Sequence, residues 1–205
     1  MRRLGGKEVA DEIMADLKIR VDELKAKGTE PKLAILRVGQ REDDLAYERG
    51  VLKRFGTIDV AVEVTELDAG VSQEELDKTF DSINNDPKVH GILVFRPLPK
   101  ELSDEHMRRT IDPGKDVDFM DIRNMEACLS GVLDCAAPCT AEAVMALIKH
   151  YQIETKGKKV TVVGRSLVIG KPVALLLTTA NATVTVCHTK TVNTEEECKR
   201  ADIIV

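Results

Sequence analysis

Apolar residues recur every three or four positions at Val9, Ile13, Leu17, Val21 and Leu24, and Gly28 follows as a C-cap. The chain is therefore predicted to open with a long amphipathic helix. "KLAILRV" is a short β-type run, a second helix covers about Asp44 to Phe55, and "VAVEVTEL" alternates apolar and polar residues as a half-buried strand does. Ser72 and Glu75 form a capping box for a helix carrying Leu76, Phe80 and Ile83. "VHGILVF" then reads as a nearly continuous apolar strand, the kind covered on both faces.

Strands alternating with helices of this length imply parallel βαβ units joined by right-handed crossovers. Residues 97–138 break the rhythm: they are proline-rich, with short helices expected only near Ser103 and Asn124, and so long an irregular segment is more often functional than idle. A helix from Thr140 leads into "VTVVGRSLVIGKPVALLL", then "ATVTVCH", a short helix capped by Thr194 with Glu197, and "ADIIV". This second β-α-β-α-β series is the first half of a doubly wound nucleotide fold. The fold class is thus α/β, with a three-layer N-terminal domain over 1–139 and the first part of a Rossmann-like domain over 140–205. Since a sheet ending on an apolar strand leaves an exposed edge, further strands are expected beyond Val205.

Composition changes this picture little. In 205 residues, 43% are hydrophobic and 32% charged, enough for a real core, and the net charge of -5 with basic residues interleaved among acidic ones argues against nucleic acid as a partner. The N-terminal stretch lacks the apolar core of a signal peptide and no apolar run would span a membrane, so the cytoplasm is the expected location. Cysteines 128, 135, 139, 187 and 198 make no C-x-x-C pair and are read as reduced thiols, with no metal site indicated.

The candidate chemistry centres on residues 160–177. A G-x-G-x-x-G spacing would fall on Gly164, Ser166 and Ile169, so the dinucleotide fingerprint is incomplete, and a plain structural turn competes with a nucleotide site. If a helix starts near Gly170, its free N–H groups face the loop and an anion could sit there. The second strand ends at "CHTKT", where an NAD-selective fold usually presents an acid to the ribose. Arg165, Thr189 and Lys190 would instead attract a 2′-phosphate, favouring NADP over NAD; the competing reading of Arg165 is a solvated loop charge.

These segments resemble the methylenetetrahydrofolate dehydrogenase/cyclohydrolase family, whose cofactor turn reads G-R-S-x-x-V-G-x-P. "HGILVFRPLP", "IDPGKDVDF", "PCT", "LRVG" and the Tyr47 region match that family in order and spacing, over a stretch running from the first helix to Val205. The resemblance implies a homodimeric enzyme with a folate cleft between two domains. It would oxidise methylenetetrahydrofolate with NAD(P) and hydrolyse the methenyl product to 10-formyltetrahydrofolate. It further implies that Tyr47 lines the folate site and Asp118 holds the pterin, although by sequence alone Tyr47 reads equally as an interface aromatic and Asp118 as a turn former. Gly164, Arg165, Ser166 and Gly170 would hold the cofactor phosphates, with His188 and Thr189 near the adenosine end.

Three positions depart from the family pattern. Its lysine four residues after the tyrosine is Val51 here, its glutamine in G-x-L-V-Q-x-P-L-P is Phe95, and its glycine after "KDVD" is Phe119. Arg54 returns to the Tyr47 face of the helix and is the available replacement cation, but an arginine does not release its proton. Losing one member of a buried polar pair costs about 1–3 kcal/mol, whereas replacing both can be nearly neutral. The paired change therefore reads as a coherent remodelling toward a dehydrogenase with weak or lost cyclohydrolase activity. The alternatives are an ordinary bifunctional enzyme and a non-catalytic folate- or nucleotide-binding homologue.

Overall fold

The computed structural model describes residues 4–121, 123–124 and 137–205. It divides into two compact units, Ala10–Ile122 and Arg123–Val205 together with Met1–Val9. The opening helix α1 (Gly6–Ala26) ends as its glycine suggested: the Gly28 N–H donates to the Lys25 carbonyl and the Thr29 N–H to that of Leu24, a Schellman closure.

After it come β1 (Lys32–Val38), α2 (Glu42–Thr57), β2 (Ala61–Leu67), α3 (Gln73–Asn85), β3 (Gly91–Val94) and α4 (Glu105–Thr110). The strands are parallel in the order β2-β1-β3. Because side chains alternate along a strand, Leu33 and Ile35 of β1 join Leu93 and Phe95 under Val51 and Phe55 of α2. Ala34, Leu36 and Val38 pack on the opposite face with Leu76 and Phe80 of α3 and Met107 of α4. This gives the three layers expected. Ser72 caps α3, its hydroxyl accepting the Glu75 N–H at 3.2 Å.

The "KDVD" loop runs beside β3: the Ile92 N–H donates to the Lys115 carbonyl at 2.7 Å, and Ile92 bridges Asp116 in parallel. Gly91 permits that approach, since a Cβ there would lie 2.8 Å from Val117 Cγ1. The helix near Ser103 is α4, with the Ser103 hydroxyl accepting the Glu105 N–H. Arg123 and Asn124 are helical, but most of the segment expected to hold the next helix lies outside the described residues, as do Cys128 and Cys135.

The other unit contains α5 (Cys139–His150), β4 (Lys159–Val163), α6 (Gly170–Thr179), β5 (Thr183–Cys187), α7 (Thr194–Lys199) and β6 (Ile203–Ile204), with parallel strands in the order β5-β4-β6. Val160 and Val162 pack with Ala141 and Ile148 of α5 and with Val173 and Leu177 of α6. Thr161, on the opposite face of β4, donates its hydroxyl to the Glu197 carbonyl of α7. The N-terminal segment is tied here by Tyr151, whose hydroxyl accepts the Gly5 N–H at 2.9 Å and donates to the Gly5 carbonyl at 2.8 Å.

One cap differs from expectation. Asn193, at φ 59°, holds the N-cap position of α7, and Thr194 is already helical. Asn enters the left-handed region more readily than most residues, so the chain turns one residue earlier than the Thr–Glu pattern suggested. Among the described residues no helix is long and apolar enough to cross a membrane.

Candidate functional site

In each sheet the central strand has one neighbour on either side, so the chain leaves adjacent strand ends in opposite directions. Such switch points, at the carboxyl ends of parallel strands, are where α/β folds bind ligands. In the first unit this point lies past Val38 and Val94. Three expected residues meet there. Val51 packs on the cluster of Leu33, Ile35, Leu93 and Phe95, and the Tyr47 ring lies 5.4 Å from that of Phe95 at a 47° tilt. Phe95 is 6% exposed and Tyr47 58%, so the patch presents one amphipathic ring over an apolar floor. Neither Val51 nor Phe95 can move a proton. Arg54, the candidate replacement cation, instead pairs with Asp11 at 3.9 Å, both side chains more than half exposed.

An ionic cluster around the buried Arg37 locks α2 onto the end of β1. Arg37, 3% exposed, donates to Glu48 at 2.8 Å and to Glu66 at 2.9 Å, and also bonds the Gly39 carbonyl. Burial alone would lower the Arg37 pKa, but the two carboxylates raise it above the ordinary arginine value. Glu48 adjoins Tyr47 in sequence, so this cluster sets where the tyrosine enters the site.

The loop after α4 separates the two aspartates of "KDVD". Asp116 is 5% exposed, and its carboxylate accepts the backbone N–H groups of Asp118 (3.3 Å), Met120 (3.0 Å) and Asp121 (2.9 Å). Asp116 thus forms the turn, which leaves the Asp118 side chain for other work. That carboxylate accepts from Arg96 Nη2 at 2.9 Å, and Arg96 Nη1 stands 3.6 Å from Asp104. Sequence reasoning missed Arg96; its one signal was a charge directly after a buried apolar strand. Phe119 follows at φ 57°, the left-handed backbone that favours glycine, and is 7% exposed.

In the second unit the pairing of Val163 with Cys187 aligns the ends of β4 and β5, and the Gly164 N–H donates to the Cys187 carbonyl at 2.8 Å. The Gly164 and His188 turns consequently leave the sheet side by side. Gly164 has φ 147°, and a Cβ there would meet no atom within 4 Å, so the turn is open to an approaching group. Gly170, at the start of α6, is packed tightly. A Cβ on it would sit 2.2 Å from the Gly164 carbonyl oxygen, so its lack of side chain lets α6 start against the strand end. Ser166 Oγ accepts the N–H groups of Ile169 (3.0 Å) and Gly170 (3.3 Å), capping that start.

Arg165 is exposed and has no hydrogen bond or ion pair among the described residues. The His188 N–H donates to Thr191 Oγ1 at 2.8 Å, and His188 Nδ1 stands 3.0 Å from the Lys190 backbone N–H, placing the neutral ring's proton on Nε2. Thr189 and Lys190 are exposed, and no carboxylate occurs from 187 to 191. Leu167, Val168 and Ile169 are 52, 48 and 42% exposed, an apolar edge beside the turn that the sequence reading did not single out. The open turn, the unpaired guanidinium and the helix start together fit an anionic dinucleotide.

Two family models cover the chain: the catalytic domain of tetrahydrofolate dehydrogenase/cyclohydrolase matches residues 4–118, and the NAD(P)-binding domain matches 138–205. The chain belongs to this family. It is 45% identical over 202 residues to the bifunctional protein FolD of Clostridium botulinum (strain Langeland), covering 98% of this chain and 72% of the relative. The bifunctional FolD enzyme of Campylobacter jejuni superposes with a TM-score of 0.95 at 34% identity, over 98% of this chain and 71% of that one. The Trypanosoma brucei FolD, solved with NADP and an inhibitor, gives 0.91 at 33%, over 98% and 69%. The protein is therefore an enzyme of the methylenetetrahydrofolate dehydrogenase type.

Proposed function

We propose that the protein oxidises 5,10-methylenetetrahydrofolate to the 5,10-methenyl form with NADP, and that it hydrolyses the product slowly or not at all. The observation that carries this reading is that Val51 packs on the apolar cluster that holds Phe95, at the two positions where the family pattern has lysine and glutamine. Taking hydride from the methylene carbon leaves a cation shared with the adjacent nitrogens, so this step asks the protein mainly for alignment. NADP, when bound, supplies the hydride acceptor. Hydrolysis asks for an activated water and proton transfers, which typically contribute about 10²- to 10⁴-fold. Tyr47 would line the folate pocket, Asp118 would hold the pterin, and Val51 with Phe95 would keep water away from the reacting carbon.

On the cofactor side, Gly164, Ser166 and the start of α6 would take the phosphates, Arg165 the 2′-phosphate, and His188 and Thr189 the adenosine end. The absence of an acid from 187 to 191 supports NADP over NAD. The folate side falls to residues 1–139 and the cofactor side to 140–205, in a cytoplasmic homodimer.

The ordinary bifunctional reading has one observation in its favour: curated relatives at 45% identity are named as bifunctional. Val51→Lys combined with Phe95→Gln separates the two. If the proposal holds, the double variant gains methenyltetrahydrofolate hydrolysis of about 10²-fold or more over the parent. A parent that already hydrolyses rapidly, with little gain in the variant, would establish the bifunctional reading.

A further inference from the structure

Arg96 has no part in the folate-side reading so far, yet it touches the residue most central to it. Its Nη2 donates to Asp118 Oδ2 at 2.9 Å and its Nη1 stands 3.6 Å from Asp104, while its Nε is buried with no hydrogen-bond partner among the described residues. Folding stability explains this arrangement poorly. The Arg96 and Asp118 side chains are 25 and 30% exposed, and pairs so accessible to water contribute on the order of 0–1 kcal/mol. A buried unmet donor costs about 1–3 kcal/mol, so the pair does not offset its own burden. Geometry accounts for it better. Asp116 has already consumed the local backbone N–H groups, so nothing on the loop itself orients the Asp118 carboxylate. Arg96, held at the end of β3 where the Phe95 N–H donates to the Leu36 carbonyl at 2.9 Å, supplies that orientation from the rigid sheet.

We propose that Arg96 is a positioning residue for the folate: by holding Oδ2 of Asp118 it presents Oδ1 in a fixed direction to the adjacent N–H donors of the substrate's aminopyrimidine ring. The pair of charge-assisted contacts forms a relay of one donor, one carboxylate and one ligand donor. It also places a permanent cation at the end of β3, whereas position 51 on α2 carries none. The inference rests on Asp118 being the pterin anchor, and the test separates the two.

Steady-state kinetics of the full chain are measured for Arg96→Leu, Arg96→Lys, Asp118→Asn and the Arg96→Leu/Asp118→Asn pair. Arg96→Leu is expected to raise the KM for methylenetetrahydrofolate about tenfold, the size of one misaligned charge-assisted hydrogen bond, with kcat and the KM for NADP near the parent's. Arg96→Lys should recover part of the loss, and Arg96→Leu should add little once Asp118 is Asn. If Arg96→Leu does not fold, Arg96→Gln, a shorter uncharged side chain whose amide ends near the level of Nε and cannot reproduce the Nη2 contact, carries the same expectation. A folate KM within twofold of the parent for the Arg96 variants, while Asp118→Asn raises it, overturns the proposal and leaves the anchor standing. An unchanged folate KM in Asp118→Asn removes the anchor and the proposal with it.

Discussion

Phe119 sets two effects of known size against each other. Its φ of 57° costs about 1–2 kcal/mol for a residue with a Cβ, a strain that glycine would not carry. Its ring is 7% exposed, and truncating a buried phenylalanine typically costs about 3–5 kcal/mol. Burial wins, so Phe119→Gly is expected to lower stability by about 2 kcal/mol net, read by urea denaturation. An increase in stability would show that the ring is not held as described. At the cofactor-side turn, Arg165 has no partner to lose among the described residues, so Arg165→Ala should leave the melting temperature unchanged. It should also weaken NADP far more than NAD, by about tenfold or more for one charge-assisted contact. Equal affinity for both cofactors in the parent, unaltered by the change, would contradict the role given to Arg165.

At the scale of elements, two glycines set how closely backbone segments approach. Gly91→Ala drives a methyl to 2.8 Å from Val117 Cγ1, and a β-branched side chain has few rotamers into which to retreat. The loop must move, and Asp118 moves with it. The expected result is a loss of about 1–3 kcal/mol in stability together with a raised folate KM, while the KM for NADP stays put. Gly170→Ala meets backbone at 2.2 Å, which no rotamer relieves, so α6 must shift from the strand end and cofactor affinity should fall along with stability.

Much of this architecture was legible in the sequence because periodicity reports burial directly. The runs in β1 and β3 are buried on both faces, β2 alternates, and Leu76 and Phe80 of α3 are fully buried, as spacing indicated. What sequence left open lies in irregular segments, where no period exists. The division of labour between Asp116 and Asp118, and the grip of Arg96, depend on a loop brought beside β3 by tertiary contacts. The cap of α7 was misplaced by one residue because Asn193 takes a left-handed conformation that composition does not announce. Likewise, only the position of the Gly164 carbonyl shows that Gly170 also serves the packing of α6 against the strand end.

Across the whole molecule, surface ion pairs shape the response to pH. The Gln40 hydrogen bond, and then the Arg37 pairing, hold the Glu66 carboxyl below its ordinary 4.5; Arg41 does the same for Asp43, and Lys25 for Asp59, against 3.8. A carboxyl whose pKa is lower folded than unfolded stabilises the fold above the unfolded value and loses that contribution as pH falls through the folded one. Lys25 and Lys32 are raised above 10.5 by hydrogen bonds to Asp59 and Glu63, so their contribution is present below that value and is lost at higher pH. The melting temperature should therefore be level between about pH 5 and 10 and fall below about pH 4. Because these groups are exposed, the acid loss should shrink in high salt. A melting temperature that changes steeply between pH 6 and 8 would show that other groups govern stability.

The proposed chemistry rests on Val51 packing on the apolar cluster that holds Phe95, where the family pattern has lysine and glutamine. The most direct measurement follows methenyltetrahydrofolate absorbance in two experiments with the same preparation. Supplied with methylenetetrahydrofolate and NADP, the protein should generate the methenyl absorbance. Supplied with methenyltetrahydrofolate alone, it should leave that absorbance to decay at the rate of buffer. Enzyme-dependent decay as fast as the oxidation would contradict the account.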